Sequence, residues 1–140
     1  ESMAYNFLST DCIVCAVMDA RCSQVYNALF EIKNGVVTRL CDDRALSLDD
    51  LKNELLSVDG RIIIAGDGTD ITCKYIGNEI KNAESAPVNL KYQRASSTAL
   101  VAVEMINNGQ TVSAQELMPV YLRLPQAQRE LNKKLGGRTK

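Results

Sequence analysis

Apolar residues dominate two stretches near the start of the chain, residues 12–18 (CIVCAVM) and 25–32 (VYNALFEI). A polar break, Asp19-Ala20-Arg21-Cys22-Ser23-Gln24, separates them. Two such runs around a turn-prone break predict a β-hairpin. The first run is apolar on both faces, as expected of a strand in the middle of a sheet. The second has only Asn27 and Glu31 as polar members. This hairpin is the predicted nucleus of a sheet, with Asp19 and Arg21 at its rim. Asn34-Gly35 then gives the strongest short hairpin signal, so residues 36–41 read as a third antiparallel strand, near an edge because Thr38 and Arg39 dilute it.

Residues 1–9, with Met3, Phe7 and Leu8 at helical spacing, read as the last turns of a helix. Residues 42–46 read as a polar connection. Ser47 with Asp50 three residues on is a near capping box, and Leu48, Leu51, Leu55 and Val58 form the apolar stripe of a helix over 48–57. The short run 61–65 (RIIIA) predicts a buried strand reached by a helical crossover, hence parallel to its partner. Gly66-Asp67-Gly68 closes it, and 69–77 starts a second helix.

Residues 81–90 are poorly patterned, with Pro87-Val88-Asn89-Leu90 a candidate short strand. Residues 95–108 predict a helix capped by Ser96 or Ser97 and ended by Gly109. Its almost continuous apolar content calls for near-complete enclosure. Residues 118–123 read as extended, and Pro125 opens an amphipathic helix to about Lys134, with 136 onward frayed. The order β-β-β-α-β-α-(β)-α is that of a ribonuclease H-like α/β fold: a mixed sheet begun by three antiparallel strands, with helices on both faces.

Composition narrows the chemistry. The chain has 140 residues, net charge −1, five cysteines and no histidine, enough for one domain with a real core. No apolar run approaches the ~20 residues of a membrane span. Opening on Glu1 without a signal pattern, it reads as the interior of a longer polypeptide. An odd number of cysteines, several within strand runs, fits reduced thiols in a cytoplasm. Cys12-x-x-Cys15 has redox or zinc spacing, but strand residues three apart point to opposite faces, which favours buried structural thiols. Without histidine, neither a Ser-His-Asp nor a Cys-His constellation can be assembled within the chain, and histidine metal sites are excluded. Ribonuclease H chemistry needs several carboxylates converging on metal ions; here Asp19 and Asp67 alone sit at the relevant strand ends, with Glu31 at the far end. Residues 121–140 carry six basic side chains (Arg123, Arg129, Lys133, Lys134, Arg138, Lys140) against the single acidic Glu130. That basic tail suits RNA phosphates or an acidic partner, and equally a solvated helix face, the reading favoured here.

Gly66-Asp67-Gly68, between a buried strand and a helix, has the layout of a nucleotide-binding turn. A plain strand-to-helix turn is the favoured reading, because Asp67 repels phosphate unless a cation intervenes. At the hairpin, Ala20 and Arg21 are less permissive than the glycines a phosphate grip wants. Arg21 can bind an anion or pair with Asp19 or Asp67.

Several motifs together resemble the TsaB family, bacterial tRNA threonylcarbamoyladenosine biosynthesis proteins related to glycoprotease-type ATPases. They are SMAYNF at 2–7, Asp19-Ala20-Arg21 followed by Val25-Tyr26, Gly66-Asp67-Gly68, the Ala-rich helix 95–106 with Gly109, and Leu117-Met118-Pro119-Val120-Tyr121-Leu122-Arg123 with Pro125-Gln126-Ala127. The resemblance implies an actin-like ATPase fold without catalytic residues. It makes residues 1–140 the C-terminal half of a two-domain protein whose N-terminal domain is absent, residues 1–10 the end of an inter-domain helix, and 125–140 a basic C-terminal helix and tail. It implies a cytoplasmic scaffold that pairs with the catalytic paralogue TsaD and the ATPase TsaE and meets tRNA only through that complex. A homodimer of the full-length protein is left open. The half alone is expected to bind TsaD weakly or not at all, with helix 95–106 partly uncovered. The residues carried over as rim or partner candidates are Asp19, Arg21, Tyr26, Tyr121 and Arg123. No metal site and no cofactor are expected in this half, ATP or ADP entering only at the level of the complex. The alternative is a residual nucleotide-binding or ATPase domain of the actin-like superfamily, using Gly66, Asp67 and Gly68.

Overall fold

The computed structural model describes residues 1–122. Strand β1 (Cys12–Asp19) and strand β2 (Gln24–Lys33) pair antiparallel along their whole length, from Cys12 opposite Ile32 to Asp19 opposite Val25. Strand β3 (Val36–Arg39) continues antiparallel against the Phe30 end of β2. The chain leaves β2 after Leu40, whose N–H still donates to Leu29 O at 2.8 Å, and resumes as strand β4 (Arg44–Ser47) against Gln24, Val25, Tyr26 and Asn27 of the same strand. One edge position is thus shared by two short strands. In the gap the Cys41 thiol accepts the backbone N–H of Leu29 at 3.2 Å. The predicted polar connection at 42–46 is therefore corrected. Its acidic pair hides a four-residue strand whose members are all half-buried, too short to show an alternation.

Helix α1 (Leu48–Leu55) starts at Ser47, whose hydroxyl accepts the Asp50 N–H at 3.0 Å, as the capping pattern predicts. Strand β5 (Ile62–Ala65) lies parallel to β1, with Ile13 opposite Ile62 and Ala16 opposite Ala65. Helix α2 (Thr69–Ile76) follows, then strand β6 (Ala83–Ser85), parallel to β5. The sheet order is β3-β2-β1-β5-β6, with β4 also on β2. The last strand thus lies four residues before the expected Pro87-Val88-Asn89-Leu90, which instead makes a turn, Leu90 N–H donating to Pro87 O. Three residues, Ala-Glu-Ser, carry no readable periodicity.

Two cores sandwich the sheet. On one face Cys15, Val17, Leu29, Ile62 and Ile64 pack with Leu51 and Leu55 of α1 and Ile76 of α2. On the other, Val14, Ala16, Phe30 and Ile63 pack under Met3, Ala4 and Phe7. Ala4 and Phe7 belong to a single 3₁₀ turn, Ala4–Phe7, with Met3 as its N-cap, and not to the end of an α-helix. Cys12 and Cys15 fall in opposite cores, as their spacing predicts.

Helix α3 (Ala95–Asn107) departs from expectation twice. Its N-cap is Arg94, with no side-chain cap; Ser97 instead donates to Asn6 Oδ1 at 2.6 Å. And it is not enclosed: Ser97 is its one buried residue, while Leu100, Val103, Met105 and Ile106 are exposed. Nothing among the described residues covers its apolar side, which departs from near-complete enclosure but agrees with the partly uncovered helix that the family resemblance implies. Arg123 and the expected helix 125–134 lie outside the described residues.

Candidate functional site

Strands β1 and β5 run parallel and end side by side, so the 19–23 hairpin and the 66–68 turn meet at one rim of the sheet. Gly66 has φ +121, and a Cβ there would stand 1.9 Å from the Val17 carbonyl oxygen, so no side chain fits. The turn is docked by its own backbone. Gly68 N–H donates to Val17 O at 3.2 Å, Gly66 N–H to Lys91 O at 2.7 Å, and Thr69 N–H to Gly66 O at 3.2 Å. These are backbone donors of the kind a phosphate-binding turn presents, and here they act within the fold. Asp67 Oδ1 accepts the Asp19 N–H at 3.2 Å. Arg21 pairs with Asp19, not Asp67: its guanidinium lies 3.1 Å from Oδ2 while its N–H donates to Oδ1 at 2.7 Å. With the Arg21 side chain 85% exposed, that ion pair contributes at most about 1 kcal/mol.

The hairpin itself is bent tightly. Arg21, Cys22 and Ser23 all take left-handed backbone angles (φ 64, 54 and 55), which cost a non-glycine residue roughly 1–2 kcal/mol each. Ser23 O anchors the bend by accepting the first N–H of α1, from Leu48, at 3.0 Å.

A polar network behind this rim escaped the sequence reading. Asn27, buried in β2, donates to Ala16 O at 3.0 Å and to Cys15 Sγ at 3.4 Å. Its Oδ1 accepts from Arg44 Nε and a terminal guanidinium nitrogen at 3.2 and 3.0 Å, and Arg44 reaches Glu54 at 2.6 Å. Burial pushes the Cys15 thiol up to about 12, although Asn27 and Arg44 pull the other way. The Arg44 guanidinium is raised too: burial, the largest single influence, lowers it, and the hydrogen bond to Glu54 together with the charges of Cys41, Glu54 and Cys15 outweighs that. The available signal was Asn27 itself, because an amide in a central strand needs partners.

On the opposite face a cleft of about 430 Å³ opens beside Met18 and Tyr26. Ala16 and Ala28 are register partners, set between the larger pairs Met18–Tyr26 and Val14–Phe30, and leave a notch in the sheet. Tyr121 and Leu122 form part of its wall. The structure thus gathers Asp19, Arg21, Gly66, Asp67 and Gly68 at the rim, and Tyr26 with Tyr121 at the cleft. Among the described residues no group of three His, Cys, Asp or Glu side chains is arranged to hold a metal. Nor is any helix there long and apolar enough to cross a membrane.

No family model matches the chain. In sequence it is similar to the tRNA threonylcarbamoyladenosine biosynthesis protein TsaB of Bacillus subtilis (strain 168), with 26% identity over 129 residues, covering 91% of this chain and 55% of that protein. In structure it is similar to YeaZ from Pseudomonas aeruginosa, with a TM-score of 0.65 at 20% identity over 86% of this chain and 54% of that one. A second structure, described as an uncharacterized protein with similarity to peptidase YeaZ from the same organism, gives 0.63 at 18% identity, covering 87% and 55%. The chain spans about half the length of the relatives it matches. The fold is the ribonuclease H-like, actin-like α/β domain, and the sequence is TsaB-like along nearly its whole length.

Proposed function

We propose that this chain serves as a non-catalytic scaffold portion in the threonylcarbamoyladenosine modification of tRNA, in the cytoplasm, working with a TsaD-type catalytic subunit and a TsaE-type ATPase. The observation that carries the reading is the TsaB likeness across 91% of the chain. The rim geometry supports it. Carboxylates and one arginine are tied to each other there, and the backbone donors of the glycine turn are used within the fold. For that reason the scaffold reading is favoured over a nucleotide-hydrolysing one. On this reading Asp19, Arg21, Tyr26 and Tyr121 act as surface for partners, with Arg123, outside the described residues, a further candidate that the family resemblance supplies.

The direct test replaces the matched 129-residue portion of Bacillus subtilis TsaB by this chain in cells depleted of the parent protein. The threonylcarbamoyladenosine content of their tRNA is then measured. Restoration to near the parental level is expected, together with co-purification of TsaD. A folded chimera that leaves the modification absent, while the parent restores it, overturns the proposal. Titration of the 140-residue chain with ATP, ADP and AMP separates the alternative: the scaffold reading expects no saturable binding, and turnover of any of the three would favour the ATPase reading.

A further inference from the structure

We propose that Asn34, at the tip of the β2–β3 hairpin, is a modification site: its amide converts spontaneously to an acid, at a rate set by the turn that holds it. A backbone nitrogen attacks the side-chain carbonyl carbon of a preceding asparagine or aspartate most readily when it belongs to glycine, which puts no Cβ in the way. Four pairs in the chain have that form: Asn34-Gly35, Asp59-Gly60, Asp67-Gly68 and Asn108-Gly109. The fold separates them by what each glycine nitrogen is doing. Gly68 is buried and its N–H donates to Val17 O at 3.2 Å, while Asp67 Oδ1 holds the Asp19 N–H. At the end of α3 the Gly109 N–H donates to Ile106 O at 3.0 Å, and the next N–H, of Gln110, to Met105 O at 2.8 Å. Both of those glycine nitrogens are engaged. Among the described residues the N–H groups of Gly35 and Gly60 have no acceptor, and both pairs are exposed. Asp59 offers an ionised carboxylate, a poorer electrophile than the Asn34 amide. That leaves Asn34.

The step balances with water as its one co-reactant. The Gly35 nitrogen gives up its proton and bonds to Asn34 Cγ. The C–N bond of the side-chain amide breaks, and its nitrogen takes up that proton and leaves as ammonia. Water then opens the cyclic imide at one carbonyl or the other, giving aspartate or isoaspartate. Asn34 and Gly35 hold φ 52 and 76, both left-handed, as in the tight turn that Asn-Gly favours. To bring its nitrogen onto Cγ, the Asn34–Gly35 peptide must swing out of that turn, so the end of the hairpin opens first. The bond from the Asn34 N–H to Asp11 Oδ1, at 2.9 Å, resists that opening. Beyond the turn β3 is a four-residue, largely exposed edge strand, the kind of element that opens locally. The product has a consequence for the sheet. A new carboxylate arises beside Asp11, and isoaspartate adds a methylene to the main chain between the paired residues Lys33 and Val36. Strand β3 carries Arg39, which lies over the Phe30 ring and pairs with Glu1 and Asp43. Conversion therefore slackens that edge.

Incubation of the 140-residue chain at mildly alkaline pH, followed by peptide mapping with isoaspartate resolved from aspartate, tests this. In the folded chain Asn34 is expected to convert about fivefold or more faster than Asn108, the factor that one backbone hydrogen bond on the attacking nitrogen is worth. In the urea-unfolded chain, where both asparagines simply precede a glycine, the two rates are expected to converge. Asp11→Ala, shown to be folded by circular dichroism, is expected to speed conversion at Asn34 and leave Asn108 unchanged. Asn108 keeping pace with Asn34 in the folded chain overturns the proposal, as does an Asn34 that stays an amide while the unfolded chain converts. An Asn34 rate in Asp11→Ala equal to the parent's overturns the control assigned to the turn.

Discussion

Ser23 and Gly66 sit at the same rim with opposite relations to glycine. Ser23 holds a left-handed angle that glycine adopts without a Cβ penalty. Ser23→Gly is expected to raise stability by about 0.5–1 kcal/mol, part of the relief being offset by the greater freedom of glycine in the unfolded chain. At Gly66 a Cβ would collide with the Val17 carbonyl, so Gly66→Ala is expected to cost about 3 kcal/mol or more. Thermal or urea melts of the two variants should move in opposite directions. Cys15 supplies a third residue-scale prediction. Burial chiefly raises its pKa to about 12, from the ordinary thiol value of 9.0. Below pH 9 the thiol is protonated in both states and the contribution is full. Between pH 9 and 12 the unfolded thiol ionises while the folded one does not, so stability falls as pH rises. Denaturation midpoints across that window should fall less steeply for Cys15→Ala than for the parent. The exposed Cys22 should react with a thiol reagent at pH 8 well before the buried Cys12 and Cys15 do.

At the scale of elements, β5 feeds both cores, as β1 and β2 do: Ile63 enters one and Ile62 and Ile64 the other. Ile63→Ala is expected to cost about 2–5 kcal/mol in a denaturant titration. The Asn27 network ties β1, β2, β4 and α1 together. Asn27→Ala removes one donor to the Ala16 carbonyl and leaves part of the Arg44 fork unmatched, for an expected loss of about 1–3 kcal/mol. The half-exposed Arg44–Glu54 pair contributes less, and Glu54→Ala is expected to cost at most about 1 kcal/mol. What the amino-acid pattern made legible follows the same division. The β1–β2 hairpin, the parallel RIIIA strand and the Ser47 cap were readable because each rests on a local signal several residues long. Strands β4 and β6 were not, because four and three residues hold their places through pairing with β2 and β5 rather than through any pattern of their own. The Asp19–Arg21 pair was within reach of local reasoning. The link from Asn27 to Arg44 spans 17 residues, and only the sheet register brings them together.

For the whole molecule, the N-terminal turn has a role out of proportion to its four residues. The Asn6 side-chain amide donates to Leu90 O at 2.8 Å and Tyr92 O at 2.9 Å, and its Oδ1 accepts from Ser97. Asn6→Ala is expected to destabilise the domain by about 1–3 kcal/mol. Amide exchange should quicken selectively in residues 86–100, whereas β1 and β2 should keep their protection. Uniform quickening would show that the turn supports the sheet instead. Because partners of Asn6 lie as far along the chain as Ser97, the 3₁₀ turn Ala4–Phe7 lacks these ties during synthesis until the segment through Ser97 has been made. The β1–β2 hairpin can form early, but its face under Met3, Ala4 and Phe7 stays unsealed until the strap at residues 90–97 arrives. A nascent chain stalled before that point should therefore be cut readily by proteases around residues 4–7, and one stalled after it should resist.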